Sequence, residues 1–285
     1  MSRRIIAAPV VTLAVAWLFG AGTAQAWRQA CITNEYGNIC FHHTGNCVSW
    51  SLNKEGSDNV EDFDAVHSAV WSAFSAWNEA GCSYMRFFET KVTSCGCRQK
   101  GYNVGEGNAN IVAWCEDYWS SDYPGEAVAL TFVHYDEATG EILDADVALN
   151  GATFAFGIVT DPATCDGVTD IQNTLTHEAG HMLGFDESQT DGSTLWPYTA
   201  ACDLEKRSLE QDDKDGLCTL YPFASNPGVC RSPIGGLEKC GGCDCAAAPG
   251  AGAGDSEFPA LALAGLLLAL AVMRKIFFRA RQTTE

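Results

Sequence analysis

The chain has 285 residues, with 17 Lys and Arg against 36 Asp and Glu and a formal net charge of −19 at pH 7. That balance argues against nucleic acid as a partner, because the phosphate backbone would be repelled. All 14 cysteines follow residue 26, the usage of an exported, disulfide-bonded chain.

Met1 to Ala26 has the layout of a secretory signal. Arg3 and Arg4 precede an apolar stretch that runs through Phe19, and Ala24-Gln25-Ala26 forms a small-x-small cleavage site. The mature chain then begins at Trp27, with a short cysteine-containing segment over 27–46. The exported body of about 200 residues is enough for one domain with a full core. Eleven cysteines lie between Cys31 and Cys230. That odd number means one pairs with the tail, pairs between chains or is free. Cys95-Gly96-Cys97 reads as vicinal disulfide partners in an exported loop. Cys202 with Cys218 is the best single pairing, since the two bracket the start of the last helix.

Val66, Val70, Phe74 and Trp77 fall on one face of an amphipathic helix. Gly140 to Asn150 alternates like a half-buried strand. Asp170 is an N-cap for the next helix, whose apolar stripe is Ile171, Leu175, Ala179 and Met182. This helix carries His177-Glu178-Ala179-Gly180-His181. Residues four apart share a helix face, so both imidazoles aim at one zinc ion. Glu178 lies beside them, placed to take a proton from a water that the metal activates.

Gly184 is a natural helix stop. Were the helix to continue, residue 187 would lie about 15 Å further along the axis than His177. A turn at Gly184 brings residue 187 back to the same metal. Asp186 and Glu187 are both carboxylates there, and spacing alone leaves either open as a third ligand.

The run His177 to Glu187 resembles the H-E-x-x-H-x-x-G-x-x-(H or D) motif of the metzincin metalloproteases, with glutamate in place of the usual last residue. Ser193-Thr194-Leu195-Trp196-Pro197 is similar to their methionine turn, with Leu195 in the methionine's place. Lys206 to Pro222 resembles the C-terminal helix of the matrixin branch, as Val66 to Trp77 resembles its first helix and Asp144 to Asn150 one of its strands. The resemblance runs from about Cys47 to Tyr221. It implies an α+β, metzincin-like fold over 47–225: a twisted mixed sheet with an upper first helix, an active-site zinc helix and a C-terminal helix. It also implies a zinc-dependent endopeptidase with His177, His181 and Glu187 as ligands and Glu178 as general base. Its substrates are extended or unfolded protein, paired along an edge strand for which Ala127 to Val133 is the candidate. The alternative is a non-catalytic surface-binding module, motivated by the Glu187 and Leu195 departures; Glu178 argues against it. His42, His43, His67 and His134 make no ligand set by spacing and read as surface or satisfied histidines. A cysteine-switch propeptide has no room between Trp27 and Cys47.

The far end is tripartite. Residues 226–257 are rich in Gly, Ala and Cys and read as a flexible linker. Over 258–285 an apolar run, Phe258 to Met273, precedes a basic cluster from Arg274 to Arg281. The run is short for a membrane span, which needs about 20 residues. Its order resembles a cysteine-containing C-terminal sorting signal of the MYXO-CTERM type, which implies processing or lipid attachment at Cys243 or Cys245. A plain single-span anchor is the alternative. Either places the protein at a membrane or cell surface.

Overall fold

The computed structural model describes residues 26–102, 108–231 and 279–280. The signal segment before Ala26, most of the linker and the apolar tail lie outside the described residues. Among the described residues no helix is long and apolar enough to cross a membrane.

The chain opens with β1 (Arg28–Gln29) and a hairpin of β2 (Cys31–Asn34) and β3 (Gly37–Cys40). The main sheet takes β4 (Cys47–Leu52), β5 (Arg86–Glu89), β6 (Ile111–Trp114), β7 (Ala129–Tyr135) and β8 (Ile142–Leu149) in the order β5-β4-β6-β8-β7. The first four of these run parallel and β7 closes the edge antiparallel to β8. Two short strands, β9 (Phe156–Gly157) and β10 (Thr169–Asp170), pair just ahead of α2 (Ile171–Met182). After it come β11 (Phe185–Asp186), the short β12 (Tyr198–Thr199) and α3 (Gln211–Leu220). Among the described residues this is the expected α+β arrangement, a mixed sheet with three α-helices. The candidate edge strand is shifted by two residues, from 127–133 to 129–135.

The helix between β4 and β5, α1 (Phe63–Asn78), starts where the Asp62 carboxylate accepts the N–H groups of Asp64 and Ala65 at 3.0 and 3.2 Å. Its buried face of Val66, Val70, Phe74 and Trp77 is the one the periodicity predicts. Phe74 stacks on Trp50 of β4 at 4.7 Å, and the Trp77 indole N–H donates to Thr176 O at 2.8 Å. The core therefore lies between the sheet and the α1–α2 pair.

The strand expected to be half-buried is buried almost throughout. Ala145, Val147 and Leu149 join the main core, and Asp146 between them is buried as well. Asp146 accepts N–H groups from Gly101 at 2.5 Å and Ile111 at 2.7 Å. Burial pushes its carboxyl up to about 7, and burial together with the Asp146 charge holds Asp144 well above the usual carboxylate range. Alternation in sequence reports polar residues, and here the polar positions Asp144 and Asp146 are themselves buried.

Disulfides join Cys31 to Cys40, Cys47 to Cys230, Cys82 to Cys218, Cys97 to Cys115 and Cys165 to Cys202, and Cys95 is disulfide-bonded as well. The expected Cys202–Cys218 bridge does not form. Cys202 lies against the loop before β10, with its N–H on Val168 O at 2.9 Å, whereas Cys218 sits well along α3 facing Cys82, just past α1. Cys95 and Cys97 are not partners of one another either, because Cys97 is spent on Cys115. The four histidines outside the motif are satisfied or paired as expected. His43 is the most telling of them. It is half-buried by surface area, its ring donates to Met182 O at 2.8 Å, and desolvation pushes its pKa down to about 4. Tyr221 Oη donates to Leu183 O at 2.7 Å, so two carbonyls left open at the end of α2 are capped by side chains.

Candidate metal centre

The site begins with the start of α2. Asp170 is its N-cap, accepting Asn173 N–H at 2.8 Å, and it also holds the Arg207 guanidinium at 2.5–2.8 Å. Every residue of α2 but Gln172 is buried. Gly180 makes the close packing possible. A Cβ there would come 2.5 Å from Leu195 Cδ2 and 2.7 Å from Trp77 Cζ2. Gly180→Ala is expected to destabilise the fold by about 1–3 kcal/mol, overpacking outweighing the better helix propensity of alanine. Urea unfolding of the apoprotein checks this.

His177 and His181 lie one turn apart, as the motif requires. Each is oriented by a backbone carbonyl: His177 Nδ1 on Thr194 O at 2.8 Å and His181 Nδ1 on Phe185 O at 2.9 Å. Both Nδ1 atoms therefore carry the proton, and both Nε2 atoms present lone pairs. Those two atoms face each other 3.1 Å apart. Gly184 makes the return possible. Its φ is +89°, and a Cβ would strike Phe41 O at 2.6 Å. Past this reversal Glu187 Oε1 lies 3.7 Å from each Nε2. Both carboxylate oxygens of Glu187 are buried without a hydrogen-bond partner.

Two converging lone pairs and an orphaned buried carboxylate are unfavourable neighbours unless a cation lies among them. Two histidines and a glutamate are an established donor set for catalytic zinc, and bonds of about 2.0–2.2 Å in a tetrahedron hold donors a little over 3 Å apart. The residues therefore fit the ion. Among the described residues this is the sole cluster of three such groups that meets the geometry of a metal site. Asp186 does not join it; its carboxylate pairs with Arg28 at 3.1 Å and accepts Glu187 N–H at 2.9 Å.

Glu178 is buried beside the histidines, and Thr131 Oγ1 of β7 donates to its Oε2 at 2.6 Å. Burial raises its pKa, opposed by the His181 and Thr131 contacts. Lys206, also buried, donates to Trp196 O and lies 3.5 Å from His177 Nδ1; burial pushes its pKa down to about 7. Beneath the histidines Leu195 is fully buried in the turn that mimics the methionine turn. That turn is pinned by Asp213 of α3, whose carboxylate accepts Thr194 N–H at 2.9 Å and Leu195 N–H at 3.3 Å.

Thr131, Asp213, Arg28 and Lys206 were not singled out as site residues by sequence reasoning. Asp213 was legible as part of the helix pattern, but its task on the turn was not. The others carry no local signal at all.

The Matrixin (Peptidase_M10) family model matches residues 42–222. The chain is a matrixin. Matrixins are zinc-dependent metalloendopeptidases, in keeping with the donor set at this site. Matrix metalloproteinase-B of Caenorhabditis elegans is 26% identical over 213 residues, which is 65% of this chain and 36% of that protein. Neutrophil collagenase of Homo sapiens is 41% identical over 51 residues, 18% of this chain and 11% of that protein. The matrixin chain thus spans little more than a third of the length of the first relative and a smaller part of the second.

Proposed function

We propose that this matrixin is a zinc endopeptidase that cleaves extended stretches of extracellular protein. The observation that carries the reading is the convergence of two imidazole lone pairs and the orphaned Glu187 carboxylate beside a buried Glu178. His177, His181 and Glu187 hold the ion. Zinc in this setting supplies Lewis acidity, acidifying a water and polarising the scissile carbonyl. The Glu178 carboxylate accepts a proton from the attacking water as its oxygen bonds the carbonyl carbon. It then hands that proton to the departing amine as the C–N bond breaks. The Thr131 hydroxyl holds one Glu178 oxygen toward β7.

β7 supplies the docking edge. It is the last strand of the sheet and carries Thr131, so a peptide laid along its open side passes the metal centre. Strand addition binds through main-chain groups and accepts many sequences. The signal-like first 26 residues, the disulfides and the tail together support export to the cell surface or beyond.

The test is metal dependence. Purified protein is expected to hold about one zinc per chain and to cleave an unfolded protein. Chelation should abolish cleavage and added zinc restore it. Cleavage that survives full removal of the metal would refute the proposal.

A further inference from the structure

The third donor of the centre is held differently from the other two. His177 and His181 stand on one helix. Glu187 lies past the Gly184 reversal, just after the two-residue strand β11. A carboxylate just past so short an element needs outside support.

That support is the beginning of the described chain. β1 runs antiparallel to β11, with Arg28 opposite Asp186 and Gln29 opposite Phe185, and Ala30 N–H donates to Gly184 O at 2.9 Å. The Trp27 ring meets Phe185 edge-on at 6.1 Å, and Trp27 N–H donates to Asp212 Oδ1 at 3.0 Å. The other Asp212 oxygen accepts Ser188 Oγ at 2.7 Å. The strap thus fixes the chain on both sides of Glu187.

Arg28 is at its centre. Its Nε donates to Glu187 O at 3.2 Å, and its Nη2 pairs with Asp186 Oδ2 at 3.1 Å. Asp186 Oδ1 in turn accepts Glu187 N–H at 2.9 Å. The guanidinium therefore holds both peptide groups flanking the Glu187 Cα, one directly and one through Asp186. A planar fork of donors suits this double grip; a lysine ammonium does not reproduce it. The same ion pair occupies the carboxylate one residue from the ligand, which would otherwise compete for the metal.

We infer that Arg28 is the positioning residue of the third metal ligand, orienting Glu187 and keeping Asp186 out of the coordination shell. The inference rests on the proposed zinc reading of the site. The Arg28 side chain is about half exposed, 47%, and a pair that open contributes little to folding. Its loss is therefore read in the metal rather than in the fold.

The experiment compares the full wild-type chain with Arg28→Met, Arg28→Lys and the double variant Arg28→Met/Asp186→Asn. Zinc affinity is measured by competition with a chromophoric chelator, and the ligand field by the visible spectrum of the Co2+ form. Arg28→Met is expected to bind zinc about 10–100-fold more weakly, the usual cost of losing a partner that orients a ligand. Its Co2+ spectrum should change, while the apoprotein unfolds within a few degrees of wild type. Arg28→Lys should recover part of the affinity. The double variant should stay weak but regain the wild-type spectral shape, because Asp186 no longer competes. Arg28→Met with affinity within twofold of wild type and an unchanged spectrum would overturn the inference. So would an apoprotein destabilised in step with the affinity, which would make the role merely structural. A wild type that binds no zinc would instead overturn the reading of the site on which this rests.

Discussion

Glu178→Ala is expected to keep its zinc and lose about 10²–10⁴ in kcat/KM on an unfolded protein substrate, the range that a positioned proton-transfer group contributes. Two features support so large a loss. The carboxylate is buried next to His177, so little bulk water reaches it to replace it as base. Its 2.6 Å bond from Thr131 ties it to the strand proposed to dock the substrate. The side chain is not among the three converging donors, so its removal leaves the donor set whole. Metal content by mass spectrometry and initial rates on the same preparation check the claim. A zinc-loaded Glu178→Ala enzyme as fast as wild type would show that the proton goes elsewhere and would remove the proposed base.

Glu187→Ala and Asp186→Ala should separate sharply in zinc affinity. Loss of an outer partner costs roughly 10–100-fold, and loss of a direct ligand costs more than that. Glu187→Ala removes the orphaned carboxylate that lies 3.7 Å from both Nε2 atoms and belongs in the larger class. Asp186→Ala removes only the group that bridges Arg28 and the Glu187 N–H, and belongs in the smaller. Isothermal titration of the two apoproteins with zinc measures the difference. The reverse ranking would make Asp186 the ligand and would require the Gly184 turn to rearrange on metal binding.

The frame of the site was legible because it is local. The Asp170 cap, the stripe from Ile171 to Met182, the two histidines four apart and the Gly184 stop all follow from the pitch of one helix, and each stands where the spacing places it. α1 was legible for the same reason. The matrixin assignment extends this local reading across 42–222.

What the sequence left open depended on partners far along the chain. Adjacent carboxylates at 186 and 187 both lie near the turn in sequence, and what engages Asp186 is Arg28, 159 residues from the Glu187 carbonyl it also holds. Thr131 reaches Glu178 across 47 residues, and Asp213 reaches the turn under the histidines across 19. The pairing of Cys82 with Cys218 and of Cys165 with Cys202 depended on how α1, α3 and the loop before β10 come together. A helical repeat is written into residue spacing, because the backbone hydrogen bond fixes which side chains share a face. No such rule ties distant positions. The sequence by itself therefore determined the helix that carries both histidines, the glutamate beside the first of them and the place where the chain must turn back. Only the packing of β1 and α3 against that turn decided which carboxylate faces the histidines.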